Sequence, residues 1–126
     1  MSVTGIGVTG IGGLFFRARD PEALAAWYHQ YLGIGPNTEG DGYEPWAQQA
    51  GPTVFMPFPA DTDYWPAERQ WMLNLRVADL DALIAKLQAD GIAVATNPEW
   101  DSPEMGRFAR IHDPEGHALE LWQPPE

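Results

Sequence analysis

Two stretches of the chain carry apolar residues at helical spacing. In the first, Leu24, Trp27, Tyr28, Tyr31 and Leu32 share one face, and in the second Leu80, Leu83, Ile84 and Leu87 do. Each is preceded by an aspartate, Asp20 or Asp79, whose side chain can accept from the free N–H groups of a first helical turn, and each is followed by a glycine, Gly33 or Gly91. Pro21 and Glu22 add a preset backbone angle and a negative charge beside the positive helix end. The pattern predicts helices from residue 21 to about 32 and from 80 to about 90. Strands are predicted over 11–17, 71–77, 92–96, 107–112 and 118–122. Asp113-Pro114-Glu115-Gly116 reads as the turn of a hairpin.

The elements recur. Arg17, Asp20, Ala23 and Leu24 stand 59 positions before Arg76, Asp79, Ala82 and Leu83, and Gly51 to Phe55 answers Gly116 to Glu120 after a gap. Two modules follow, about 10–60 and 71–123, with 61–70 as a linker, although 35–49 is loop-rich and its strands are hard to place. A single module of strand, helix and three strands would leave a half-covered sheet with open edges. The expected architecture is therefore α+β: paired βαβββ modules forming one curved, cupped mixed sheet, with the helices on its convex face.

Composition narrows the function classes. At 126 residues one domain is expected, covering 1–126. Eighteen Asp+Glu against 7 Lys+Arg give a formal charge of −11, which disfavours nucleic acid and anionic lipid as partners. With no cysteine, a metal would have to be held by His, Asp or Glu, and the chain suits a reducing compartment. Neither a signal-like start nor an apolar run of membrane-spanning length is present, so a cytoplasmic protein is expected. At 44% apolar and 12% aromatic residues the chain is too apolar for disorder.

The stretches 11–33 and 71–91, and above all Gly106-Arg107-Phe108-Ala109-Arg110-Ile111-His112-Asp113-Pro114-Glu115-Gly116-His117-Ala118-Leu119-Glu120-Leu121-Trp122, resemble the vicinal oxygen chelate superfamily of glyoxalase I, bleomycin-resistance proteins and extradiol dioxygenases. The resemblance implies a homodimer and a ligand held in the cup. In metal-dependent members a ligand stands seven positions before each helix-capping aspartate and another on each module's last strand. Those positions are Gly13, Met72, Phe55 and Glu120 here, and of the four only Glu120 can bind a cation. No metal and no other cofactor is expected.

Side chains alternate on a strand, so residues in phase with these positions should share the cup. They are Phe15 and Arg17 on the first strand, Met72, Asn74 and Arg76 on its counterpart, Ala118 and Trp122 beside Glu120, and Arg110 with Phe108 and His112. Phe55 and the loop residue Trp46 join the candidate binding set. Three arginines in an aromatic cup suit a small ligand with an aromatic body and an acidic or carbonyl group. The plainer alternative is that one arginine pairs with Glu120 while the others lie along strand ends.

The expected function is a glyoxalase/bleomycin-resistance-like protein that binds such a molecule without a catalytic metal. The alternatives are a metal-dependent lyase or dioxygenase of the same superfamily, or a metal-free isomerase with Glu120 as its catalytic base. Trp27 and Trp71 are expected in packing, whereas Trp46, Trp65 and Trp100 fall in loops and suit a ligand lid or a dimer seam. His29 is expected to be solvated, and His112 and His117 to flank the hairpin turn. The glycine pattern from Gly5 to Gly10 lacks the strand before and the helix after that nucleotide binding needs.

Overall fold

The computed structural model describes residues 6–35 and 45–126. Residues 36–44 of the loop-rich stretch, and Met1 to Gly5 of the start, lie outside the described residues.

The helices form where the apolar spacing and the caps put them. Helix α1 is Pro21–Leu32; Asp20 accepts from the Ala23 N–H at 3.1 Å, and Gly33 closes the helix in the left-handed region at φ 68°. Helix α2 is Leu80–Ala89, capped by Asp79, which accepts from the Ala82 N–H at 3.1 Å. Its exit has paired bonds, Gly91 N–H to the Gln88 carbonyl and Ile92 N–H to the Leu87 carbonyl, around the positive φ of Gly91.

Three strands make the sheet: β1 (Leu73–Arg76), β2 (Arg107–His112) and β3 (Ala118–Gln123), in the order β1-β3-β2. β1 runs parallel to β3, reached through α2 and the intervening chain, while β2 and β3 form the antiparallel hairpin. The 113–116 turn closes it, with the Gly116 N–H bonded to the Asp113 carbonyl and Gly116 at φ 87°. Asp113 accepts from the backbone N–H groups of Glu115 and His117 with one oxygen, which fixes the turn locally.

Alternation divides the sheet. Ala109 and Ile111 of β2 and Leu119 and Leu121 of β3 are buried against Leu24 and Tyr28 of α1 and Leu80 and Leu87 of α2, with Leu73 and Leu75 packed at the margin. Both helices therefore cover one face. The other face carries Asn74 and Arg76, Glu120 and Trp122, and Phe108, Arg110 and His112.

Several elements differ from expectation. Residues 11–17 join no ladder among the described residues, where the three strands all lie between Leu73 and Gln123. The 92–96 strand contracts to the single bridge Ala95–Arg110, after which Asn97 caps a 3-10 turn at Pro98–Trp100 and diverts the chain. The strand expected over 71–77 is shorter, and Trp71 stands 73% exposed beyond its end rather than in packing. His29 is not simply solvated: its Nδ1 donates to the Gly35 carbonyl at 2.9 Å, fastening the exit of α1. Among the described residues no helix is long and apolar enough to cross a membrane.

Candidate functional site

Strand register builds the site. Asn74 and Arg110 both stand opposite Glu120, so the three form one row across β1, β3 and β2 on the face away from the helices. Arg76, Trp122 and Phe108 form the next row, and the Phe108 and Trp122 rings stack with centroids 6.4 Å apart.

Chain from residues 61–70 folds over the first row. Tyr64 donates its hydroxyl to Glu120 Oε2, and Asn74 Nδ2 donates to Glu120 Oε1 at 2.7 Å, so both oxygens of this nearly buried carboxyl group are engaged. The Arg110 guanidinium lies over the Tyr64 ring, 4.9 Å from its centroid, and its Nη2 donates to the Tyr64 carbonyl at 2.9 Å. Phe58 stacks on Tyr64 at 5.8 Å, and Trp65 meets Phe58 edge-on. Burial, then the bond to Glu120 and its charge, push the Tyr64 hydroxyl pKa up to about 12, although Arg110 acts the other way. An open pocket of about 610 Å³ adjoins this cluster, lined by 61–67 together with Arg110 and His112. Arg110 Nε is buried with no hydrogen-bond partner among the described residues.

The candidate residues are distributed unevenly about this cluster. Asn74, Arg110 and Glu120 meet in it, and Trp122 lies one row away with its Nε1 donating to the Met105 carbonyl at 2.8 Å. Arg76 is turned to backbone, donating to the Pro52 and Gln49 carbonyls at 2.5 and 2.6 Å, and thereby ties the 49–52 segment beside β1. Met72 is half-buried just before β1. Phe15, Arg17, Trp46 and Phe55 are exposed, Phe15 at 95% and Phe55 at 81%. His112 lies at the pocket, whereas His117 turns to Asp113, with Nδ1 2.8 Å from Oδ2.

Tyr64 and Phe58 are members of this cluster that periodicity misses, since both lie outside every regular element. The available signal is aromatic content: Phe58, Tyr64 and Trp65 fall in or beside a segment read as a linker, where uncovered rings would be unfavourable.

The four positions at which the resemblance implies metal ligands are Gly13, Phe55, Met72 and Glu120, and the first three offer no ligand suited to a hard or borderline divalent ion. Glu120 has both oxygens bonded to neighbouring side chains. Among the described residues no group of three or more His, Asp or Glu side chains converges on a common point. This donor set does not fit a catalytic divalent ion.

No protein of curated function matches the chain. Among solved structures, TnmS3, an antibiotic binding protein from Streptomyces sp. CB03234, superposes with a TM-score of 0.58 at 25% identity, covering 94% of this chain and 98% of its own. A glyoxalase/bleomycin resistance protein from the same organism shares 38% identity over 43% of this chain and 46% of its own, with a TM-score of 0.33. The family model of the glyoxalase-like domain matches residues 13–122, nearly the whole chain. With that match, the chain belongs to the glyoxalase-like domain family.

Proposed function

We propose that this chain binds a small aromatic molecule bearing an acidic or carbonyl group, on the sheet face around Glu120 and Arg110, and that it does so without a catalytic metal. The observation that carries the reading is Arg110: a guanidinium laid on an aromatic ring, beside an open pocket, with a buried Nε that lacks an acceptor. A buried donor without a partner is costly, and a ligand carboxylate or carbonyl would remove that cost. The aromatic body would find Tyr64, Phe58 and the Phe108–Trp122 stack nearby. The likeness to an antibiotic-binding protein supports a binder over an enzyme, as does the poor fit of the donors to a metal.

The protein would work as a homodimer. Exposed Ile6, Val8, Phe15, Val54, Phe55 and Met56 present apolar side chains outside every ladder among the described residues, a surface that a second copy would cover.

Calorimetric titration with 2-naphthoate, set against 2-naphthylmethylammonium, tests the binding reading. The acid should bind once per chain and the amine weakly, and Arg110→Met should weaken the acid by about tenfold or more. Equal affinity of Arg110→Met and wild type for the acid would overturn the reading.

A further inference from the structure

We propose that Tyr64 is a built-in placeholder for the ligand: the site takes a phenol, whose ring and hydroxyl replace those of Tyr64 over Glu120 and Arg110. This rests on the small-molecule reading above and names the ligand's chemistry.

Every contact made by the Tyr64 side chain is one that any phenol could make. The ring receives the Arg110 cation on its face and lies near-parallel to Phe58 at an interplanar angle of 22°. Its hydroxyl goes to Glu120 Oε2. Asn74 donates to the other carboxyl oxygen at 2.7 Å and so fixes the plane of the group, and the Tyr64 hydroxyl is the donor that Oε2 has among the described residues. Glu120 is 7% exposed, so an arene lacking a hydroxyl donor would leave that oxygen unpaired away from water. A site built to pair with a hydroxyl discriminates strongly against the analogue that lacks one.

The residue can also leave. Its backbone is held independently of the ring, by the Tyr64 N–H to Thr62 Oγ1 at 3.2 Å and by Arg110 Nη2 to the Tyr64 carbonyl at 2.9 Å. Rotation about the Cα–Cβ bond would free the slot while the strap stays in place, and the adjoining open pocket has room for the displaced ring or for the rest of a ligand. The partnerless Arg110 Nε would then serve an acceptor elsewhere on the same molecule.

The test pairs a cavity variant with the intact protein. Tyr64→Gly removes a side chain that p-cresol reproduces, so calorimetry should show p-cresol binding this variant about tenfold or more tighter than wild type, and about tenfold or more tighter than 4-methylanisole, which cannot donate. Equal affinity for the two probes, equal affinity of variant and wild type for p-cresol, or no binding to a variant with native circular dichroism would overturn the proposal.

Should Tyr64→Gly fail to fold, wild-type protein carrying tyrosine labelled at Cζ gives the answer. Saturation with 2-naphthol should move the Tyr64 resonance toward that of a solvated phenol, and an unmoved resonance refutes displacement. Binding of 2-naphthoate with Tyr64 unmoved by 2-naphthol sinks this inference alone, while absence of 2-naphthoate binding sinks the broader reading.

Discussion

Tyr28 shows how a single hydroxyl joins two parts of the chain far apart in sequence. It is buried in the core on α1 and donates to Asp113 Oδ2 at 2.7 Å, at the root of the hairpin turn, where His117 Nδ1 and two backbone N–H groups also bond the same carboxyl. Burial, the bond to Asp113 and its charge all raise the Tyr28 pKa. Tyr28→Phe keeps the ring and removes one donor from a buried acceptor, so it should cost about 2 kcal/mol. Urea unfolding measures this directly, and a loss close to zero would mean that water or His117 compensates. At the site, Tyr64 should resist ionisation: spectrophotometric titration should show one phenol titrating near pH 12, absent in Tyr64→Phe. The sign follows from the raised folded-state pKa. This contribution to stability is complete below the unfolded value near 10 and is lost as the pH rises through about 12.

At the level of elements, the caps and the turn are the places where local sequence does most. Asp20→Ala and Asp79→Ala each strip a first helical turn of its acceptor and should each cost about 1 kcal/mol, additively, because the two caps serve different helices. Thermal unfolding of the single and double variants checks both magnitude and additivity. The junction of turn and α1 depends on pH through Glu115, whose carboxylate accepts from the Arg19 N–H at 2.6 Å and the Asp20 N–H at 3.0 Å. Those bonds hold its pKa below 4.5. A depressed folded-state pKa means stability that is present above the ordinary carboxylate range and lost as the pH falls through the folded value. Glu115→Gln should therefore flatten part of the acid limb of stability between neutral and acidic pH, and an unchanged limb would place that dependence elsewhere.

For the molecule as a whole, both helices and the three-stranded ladder enclose one core, while 6–17 and 45–58 have no strand partners among the described residues. An apolar surface of that kind is unfavourable in water, and closed two-fold pairing is the commonest way to cover it. Sedimentation velocity at micromolar concentration should give twice the chain mass, and Phe15→Asp combined with Phe55→Asp should shift it toward the single chain. A wild-type monomer would mean that these segments are covered by the chain itself.

Both helices, their aspartate caps and glycine exits, and the 113–116 hairpin could be located from sequence, because each depends on partners within a few residues. The face shared by Asn74, Arg76, Arg110, Glu120 and Trp122 followed from the same local rule, since alternation along a strand does not depend on where the strand lies. Whether a stretch becomes a strand at all was another matter. Residues 11–17 and 92–96 have strand-like patterns, but a ladder needs a partner brought in from a distance, and among the described residues none forms for the first and one bridge for the second. Tyr64 over Glu120 is likewise a contact across 56 residues, made by a linker with no periodicity to read. Local chemistry determined which residues face together; only the folded chain decided what lies over them, because the path of a linker is set by the surfaces it finds to cover.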